Sequence, residues 1–147
     1  MNIVTLLNSI HAGQLSPVYL VLGSQTYLIN LVKRSLIRLI PANQRTMNYA
    51  EYDLTTTPLD AVLNDATSAP FFGRRRLIIV NHANFLTGLK SIGKGQSIKR
   101  QLKSLARYLK RPLHSTILVF LTTAAKLDRR KKVVNLMRKY ATLVNLN

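Results

Sequence analysis

Three unbroken apolar runs of strand length constrain this chain of 147 residues more than any other feature: Val18-Tyr19-Leu20-Val21-Leu22, Leu77-Ile78-Ile79-Val80 and Thr116-Ile117-Leu118-Val119-Phe120-Leu121. A strand that is apolar at every position must be covered on both faces, the situation of a parallel sheet between two helical layers. The segments between the runs supply those layers. Val4 to Ile10 is a short apolar-rich helix released at Gly13, a C′ glycine. Gln25 to Ile40 puts Leu28, Leu31, Val32, Leu36 and Leu39 on one side and stops at Pro41. Thr46 to Tyr52 reads as a further strand, with Met47, Tyr49 and Glu51 alternating against Thr46, Asn48, Ala50 and Tyr52. A helix follows with Leu59, Val62, Leu63 and Ala66 on one face; Thr57 is its expected cap, Pro58 its first residue, and Asp60 holds the capping-box slot.

Beyond the Leu77 run, residues 87–97 form an expected linker-like loop containing Gly88, Gly93 and Gly95. Ile98 to Lys110 is helical, with Ile98, Leu102, Leu105 and Leu109 inward and Lys99, Arg100, Lys103, Arg107 and Lys110 largely opposite. Asp128 is the expected cap of a last helix, Arg129 to Tyr140, which buries Val133, Val134, Met137 and Tyr140. Thr142 to Leu146 is the fifth strand. The alternation predicts one α/β domain over residues 1–147: a three-layer fold with a mostly parallel five-stranded sheet.

Charge divides the chain in two. Residues 1–65 carry Lys33, Arg34, Arg38 and Arg45 against Glu51, Asp53, Asp60 and Asp65, so the net charge of +17 lies wholly in residues 66–147, where Asp128 is the lone acid. This asymmetry favours a partner of negative potential, nucleic acid foremost, or else a solvated basic face. The chain has no cysteine, hence no disulfide or thiolate metal site. It has no apolar run of the ~18 residues a membrane span needs and no leader-like start, so a soluble, cytoplasmic protein without membrane contact is expected.

Strand, glycine turn and long helix is also the layout of a nucleotide-binding P-loop, G-x-x-x-x-G-K-[ST]. Gly23 to Asn30 occupies that place, but Leu28 stands for the second glycine, Ile29 for the lysine and Asn30 for the hydroxyl residue. Without the lysine nothing neutralises the β- and γ-phosphates, and a Cβ at the second glycine crowds the backbone nest. The strand that would end in a metal-binding acidic pair ends in Val80-Asn81-His82. His11, His82 and His114 share no metal-ligand spacing, and no Ser or Thr has a recognisable base. The expectation is a degenerate P-loop, no cofactor, no metal and no catalysis.

One junction stands apart: Ser68-Ala69-Pro70-Phe71-Phe72-Gly73-Arg74-Arg75-Arg76 joins a helix to a strand with two adjacent phenylalanines in a turn. From the residues alone the rings either complete the core or are presented outward.

The segments Pro17 to Gly23, Ala69 to Val80 and Lys126-Leu127-Asp128-Arg129-Arg130-Lys131-Lys132 together resemble the delta subunit of the bacterial DNA polymerase III clamp loader, in family order and across nearly the whole chain. The resemblance implies the AAA+-like first domain of a longer chain. It implies a subunit that binds the beta sliding clamp and promotes its opening for loading onto primed DNA, without hydrolysing ATP. Carried over to this sequence, Phe71 and Phe72 are the clamp anchor, and Pro70 and Gly73 shape the turn that presents them. Arg74, Arg75 and Arg76 face an acidic rim of the clamp. Lys99, Arg100, Lys103, Arg129 and Arg130 are candidates for contact with the clamp or with primer-template DNA. The other implied partners are the tau/gamma and delta-prime subunits of the loader. The alternative reading is a stand-alone basic nucleic-acid-binding domain.

Overall fold

A computed structural model describes residues 1–70, 73–86 and 95–147, with side chains in the last stretch from residue 99 onward. The first helix, α1 (Ile3–His11), opens under the Asn2 side chain, whose Oδ1 accepts the Thr5 amide at 2.9 Å. It closes on Gly13 at φ +73, where the Gly13 and Gln14 amides bond back to the carbonyls of Ile10 and Ser9. That is the left-handed helix stop expected of the glycine. Then come β1 (Val18–Leu22), α2 (Thr26–Ile37), a 3-10 turn (Ala42–Gln44), α3 (Arg45–Asn48) and β2 (Tyr49–Asp53). The chain continues through α4 (Leu59–Ala66), β3 (Arg76–Asn81), a second 3-10 turn (Asn84–Leu86), α5 (Gly95–Lys110), β4 (Thr116–Thr122), α6 (Lys132–Tyr140) and β5 (Thr142–Asn145).

Among the described residues the strands form one sheet in the order β2-β3-β4-β1-β5, every neighbouring pair parallel. The apolar runs are divided between the faces with a period of two. Val18, Leu20, Ile78, Val80, Leu118 and Phe120 pack under α4, α5 and α6; Tyr19, Val21, Leu77, Ile79, Ile117 and Val119 pack under α1 and α2. Each such side chain contributes on the order of 1.5–3 kcal/mol by leaving water, so both layers are needed to satisfy one strand. Met1 covers the β5 edge: its amino group donates to Leu143 and its carbonyl accepts from Asn145.

Five expectations need correction. Thr46, Met47 and Asn48 are helical in α3 and not part of a strand. Pairing with β3 begins at Tyr49↔Leu77, and β3 starts only one residue earlier, so a strand over 46–48 would lack a partner ladder. Thr57 does not cap α4: Pro58 is the cap residue, and the Asp60 amide is instead bonded by Gln101 Oε1 of α5 at 3.1 Å. Asp60 therefore sits in the first turn without closing a capping box. Asp128 does not cap α6, which begins at Lys132; its carboxylate closes a local turn on the Arg130 amide. Tyr140 is exposed and carries the Lys139 ammonium 5.3 Å from its ring centre. Finally, α5 begins at Gly95, so residues 95–97 of the expected linker are helical, and 87–94 lie outside the described residues.

Candidate docking turn and basic face

The junction between α4 and β3 is fastened at several points. Past the helix end the Ser68 amide bonds to the Asp65 carbonyl at 3.0 Å, and Pro70 is half-buried. Gly73 sits at φ +79, and a Cβ there would lie 2.1 Å from Gln44 Oε1 and 2.7 Å from its carboxamide carbon. Conformation and space thus both require glycine. The exit is held by Arg76, the first residue of β3. Its Nε and Nη2 reach Asp65 Oδ1 at 2.7 and 2.6 Å, and its Nη1 donates to the Met47 carbonyl. Both side chains of this ion pair are only 14% exposed. Tyr52 completes the group by donating its hydroxyl to Asp65 Oδ2 at 2.5 Å. Burial first, then the hydrogen bond and charge of Asp65, push the Tyr52 phenol up to about 12, with the Arg76 charge pulling the other way.

The anchor residues themselves, Phe71 and Phe72, lie outside the described residues. Gly73 and Arg74 are exposed and Arg75 is half-buried; neither Arg74 nor Arg75 makes an ion pair among the described residues. Arg76 differs from them, because its guanidinium is committed to Asp65 and Met47. No sequence spacing announces this group. Asp65 and Gln44 were not singled out beforehand, and Met47 was taken for an inward strand residue.

The remaining candidate cations gather on the α4–α6 side of the sheet. Lys99, Arg100 and Lys103 are exposed on α5, as are Arg107 and Lys110. Arg100 lies 3.6 Å from Asp60 but is 76% exposed, an ion pair of small worth in water. Arg129 and Arg130 are exposed in the segment before α6; Arg130 grips both oxygens of Asp128 at 3.0 and 3.1 Å. These bonds, side chain first and backbone amide second, hold the Asp128 carboxyl below its usual range. A groove of about 540 Å³ opens beside them, lined by Leu22, Lys126, Leu127, Arg129, Arg138 and Leu143 among others. It lies at the carboxyl ends of β1 and β5, the side of an α/β sheet where ligands are commonly held.

At the position of a P-loop, α2 begins only three residues after β1. Gly23 is buried, its amide bonded to Thr122, and a Cβ on it would meet Leu146 at 2.9 Å. This glycine makes room for the tail of the sheet. Leu28 and Ile29 are partly buried against the α1–α2 core, and Asn30 is exposed. His82, left-handed at φ +59, places Nδ1 2.9 Å from Asp53 Oδ1, apart from His11 and His114 in the chain. No group of three His, Cys, Asp or Glu side chains suited to a metal occurs among the described residues, and no helix there is long and apolar enough to cross a membrane.

Known proteins match this arrangement. The family model described as DNA polymerase III, delta subunit, covers residues 19–147. DNA polymerase III subunit delta of Bacillus subtilis (strain 168) is 35% identical over 137 residues, 92% of this chain and 39% of that protein. The solved structure of the Bacillus subtilis DNA clamp loader delta protein agrees with a TM-score of 0.86 at 31% identity, over 97% of this chain and 42% of that one. A DNA polymerase III gamma subunit-related protein from Thermotoga maritima agrees at 0.61 with 12% identity, over 99% of this chain and 45% of that one, which speaks for the fold alone. The domain is therefore AAA+-like, and the chain spans about two fifths of the length of its relatives.

Proposed function

This chain belongs to the DNA polymerase III delta subunit family, and on that premise we propose that it is the part of a clamp loader that engages the beta sliding clamp and favours its open ring. Phe71 and Phe72, offered by the turn between Pro70 and Gly73, enter an apolar pocket on the clamp. Arg74 and Arg75 meet acidic groups at the pocket's rim. Arg76 stays with Asp65 and keeps the turn's exit in place. The observation that carries this reading is the bracing itself: a turn pinned at Gly73 by Gln44 and at Arg76 by two other elements is ordered before a partner arrives. Preordering lowers the entropy lost on binding, and a buried phenylalanine is of hot-spot size.

The domain does this without hydrolysing ATP. Leu28, Ile29 and Asn30 stand where a P-loop needs glycine, lysine and a hydroxyl, and calorimetric titration with ATP and magnesium is expected to stay flat. The tau/gamma and delta-prime subunits complete the assembly, in which the α5 face lies toward the phosphates of primer-template DNA. A protein of this role works in the cytoplasm.

The test is a titration of the sliding clamp with the wild-type chain and with the Phe71→Ala/Phe72→Ala variant, with circular dichroism as the check on folding. The wild type binds, and the variant loses most of its affinity while keeping its helical signal. Wild-type affinity in the double variant would sink the anchor. A second reading, a domain that binds nucleic acid on its own, is favoured by the charge excess of residues 66–147. It predicts tight, salt-dependent DNA affinity that is indifferent to the two phenylalanines.

A further inference from the structure

We propose that Met47 is a second apolar contact for the same protein partner, presented by α3 beside the Pro70–Gly73 turn; this rests on the docking role just proposed for that turn. Five large apolar side chains are exposed among the described residues: Met1, Val4, Tyr27, Met47 and Tyr140. Met1, Val4, Tyr27 and Tyr140 belong to segments that adjoin β1 or β5 in the chain or in the sheet. Met47 alone precedes β2, at the other end of the strand order and next to the docking turn.

Its exposure, 49%, is not that of a frayed end. The Gln44 amide bonds to the Pro41 carbonyl at 2.8 Å, Arg45 Nε to the Ile40 carbonyl at 2.9 Å, and the Tyr49 amide to the Arg45 carbonyl. Asn48, the next residue, is fully buried. The Met47 carbonyl itself is taken by the Arg76 guanidinium. A short helix held on all sides therefore displays a thioether side chain that nothing in the domain covers.

The same bonds tie Met47 to the turn. Gln44, three residues before it, packs against Gly73; Arg76, three residues after Gly73, bonds to Met47 and to Asp65 of α4. The turn and α3 are fastened to each other at two points, so a partner that seats the turn meets Met47 in a fixed relation to it. Methionine suits such a place, because an unbranched, polarizable side chain adapts to an apolar surface of irregular shape.

The test measures binding of the wild-type chain, Met47→Ala, Met47→Leu and Phe71→Ala/Phe72→Ala to the sliding clamp by surface plasmon resonance, with thermal melting alongside. Met47→Ala is expected to bind about tenfold more weakly, the loss of one significant interface contact. Its melting temperature should match the wild type, and Met47→Leu should bind within about twofold of it, since an apolar side chain of similar volume is a mild change. Full affinity in Met47→Ala beside a failed double phenylalanine variant overturns the Met47 contact and leaves the docking turn standing. Full affinity in both variants, or no binding by the wild type, removes the docking turn and Met47 with it.

Discussion

Arg76 and the cations of α5 are the same chemistry put to opposite uses. Arg76 is nearly buried, bonded to a carboxylate and a carbonyl of two different elements, and its positive charge serves the fold. Lys99, Lys103, Arg107 and Lys110 stand in water on one face of a helix whose other face, through Leu105 and Leu109, is core. The supply of acid explains the split. The chain has 22 Lys and Arg for 5 Asp and Glu, and each of those five carboxylates already faces a basic group within the domain. The cations left over have no carboxylate side chain to turn to, so any anion that neutralises them comes from outside. Charge at the docking turn builds shape, whereas charge on the α4–α6 layer remains available.

The largest expected effect tests the first half of that contrast. Replacing Asp65 by Asn leaves the Arg76 guanidinium nearly buried beside a neutral group, and breaking such a pair costs about 3 kcal/mol. Urea denaturation should show a fall of that size in unfolding free energy. The double replacement Asp65→Leu/Arg76→Met should recover much of it, because removing both charges leaves none stranded. A small loss in Asp65→Asn would mean that Arg76 is as dispensable to the fold as a surface cation.

Tyr52 reports on the same carboxylate through pH. Its phenol, pushed up to about 12, holds its proton more tightly in the folded chain than in the unfolded one. The sign follows: this contribution to stability is fully present below the unfolded value of about 10 and is lost as pH rises toward the folded value. Phenolate absorbance should show one tyrosine titrating near 12 that vanishes in Tyr52→Phe. In Asp65→Asn that titration should move down, since the carboxylate charge is gone. An unmoved titration would assign the shift to burial alone.

How much of this was legible in the sequence depends on the reach of each interaction. The runs at Val18, Leu77 and Thr116 announced β1, β3 and β4, because a pattern of consecutive apolar residues is local and so is a strand. The inward faces of α4 and α5 followed from 3.6-residue spacing for the same reason. Gly13 worked as a helix stop for a reason confined to its own φ. The errors came where a distant residue decided. Whether 46–48 was strand or helix depended on where β3 begins, some thirty positions on. The first turn of α4 is closed by Gln101 of another helix, not by the nearby Thr57. The docking motif was readable as a family pattern from Pro70 to Arg76, but its brace was not: Asp65, Gln44 and Met47 meet it only in three dimensions.

The smallest stability effect tests the other half of the contrast, at Lys103. The side chain is exposed on the outer face of α5 and makes no ion pair among the described residues. Lys103→Ala should therefore change the unfolding free energy by no more than about 0.5 kcal/mol, the usual range for a surface substitution. If the α5 face meets DNA phosphates, the same change weakens duplex binding for every base sequence alike. It also reduces the slope of log affinity against log salt by about one, the counterions released at one phosphate. Stability and DNA affinity are thus expected to separate at Lys103, whereas Asp65→Asn costs stability first. A Lys103→Ala chain that melts early would show that this face, too, serves the fold. A chain with unchanged stability and an unchanged salt slope would take Lys103 out of any DNA contact and leave it a solvating charge.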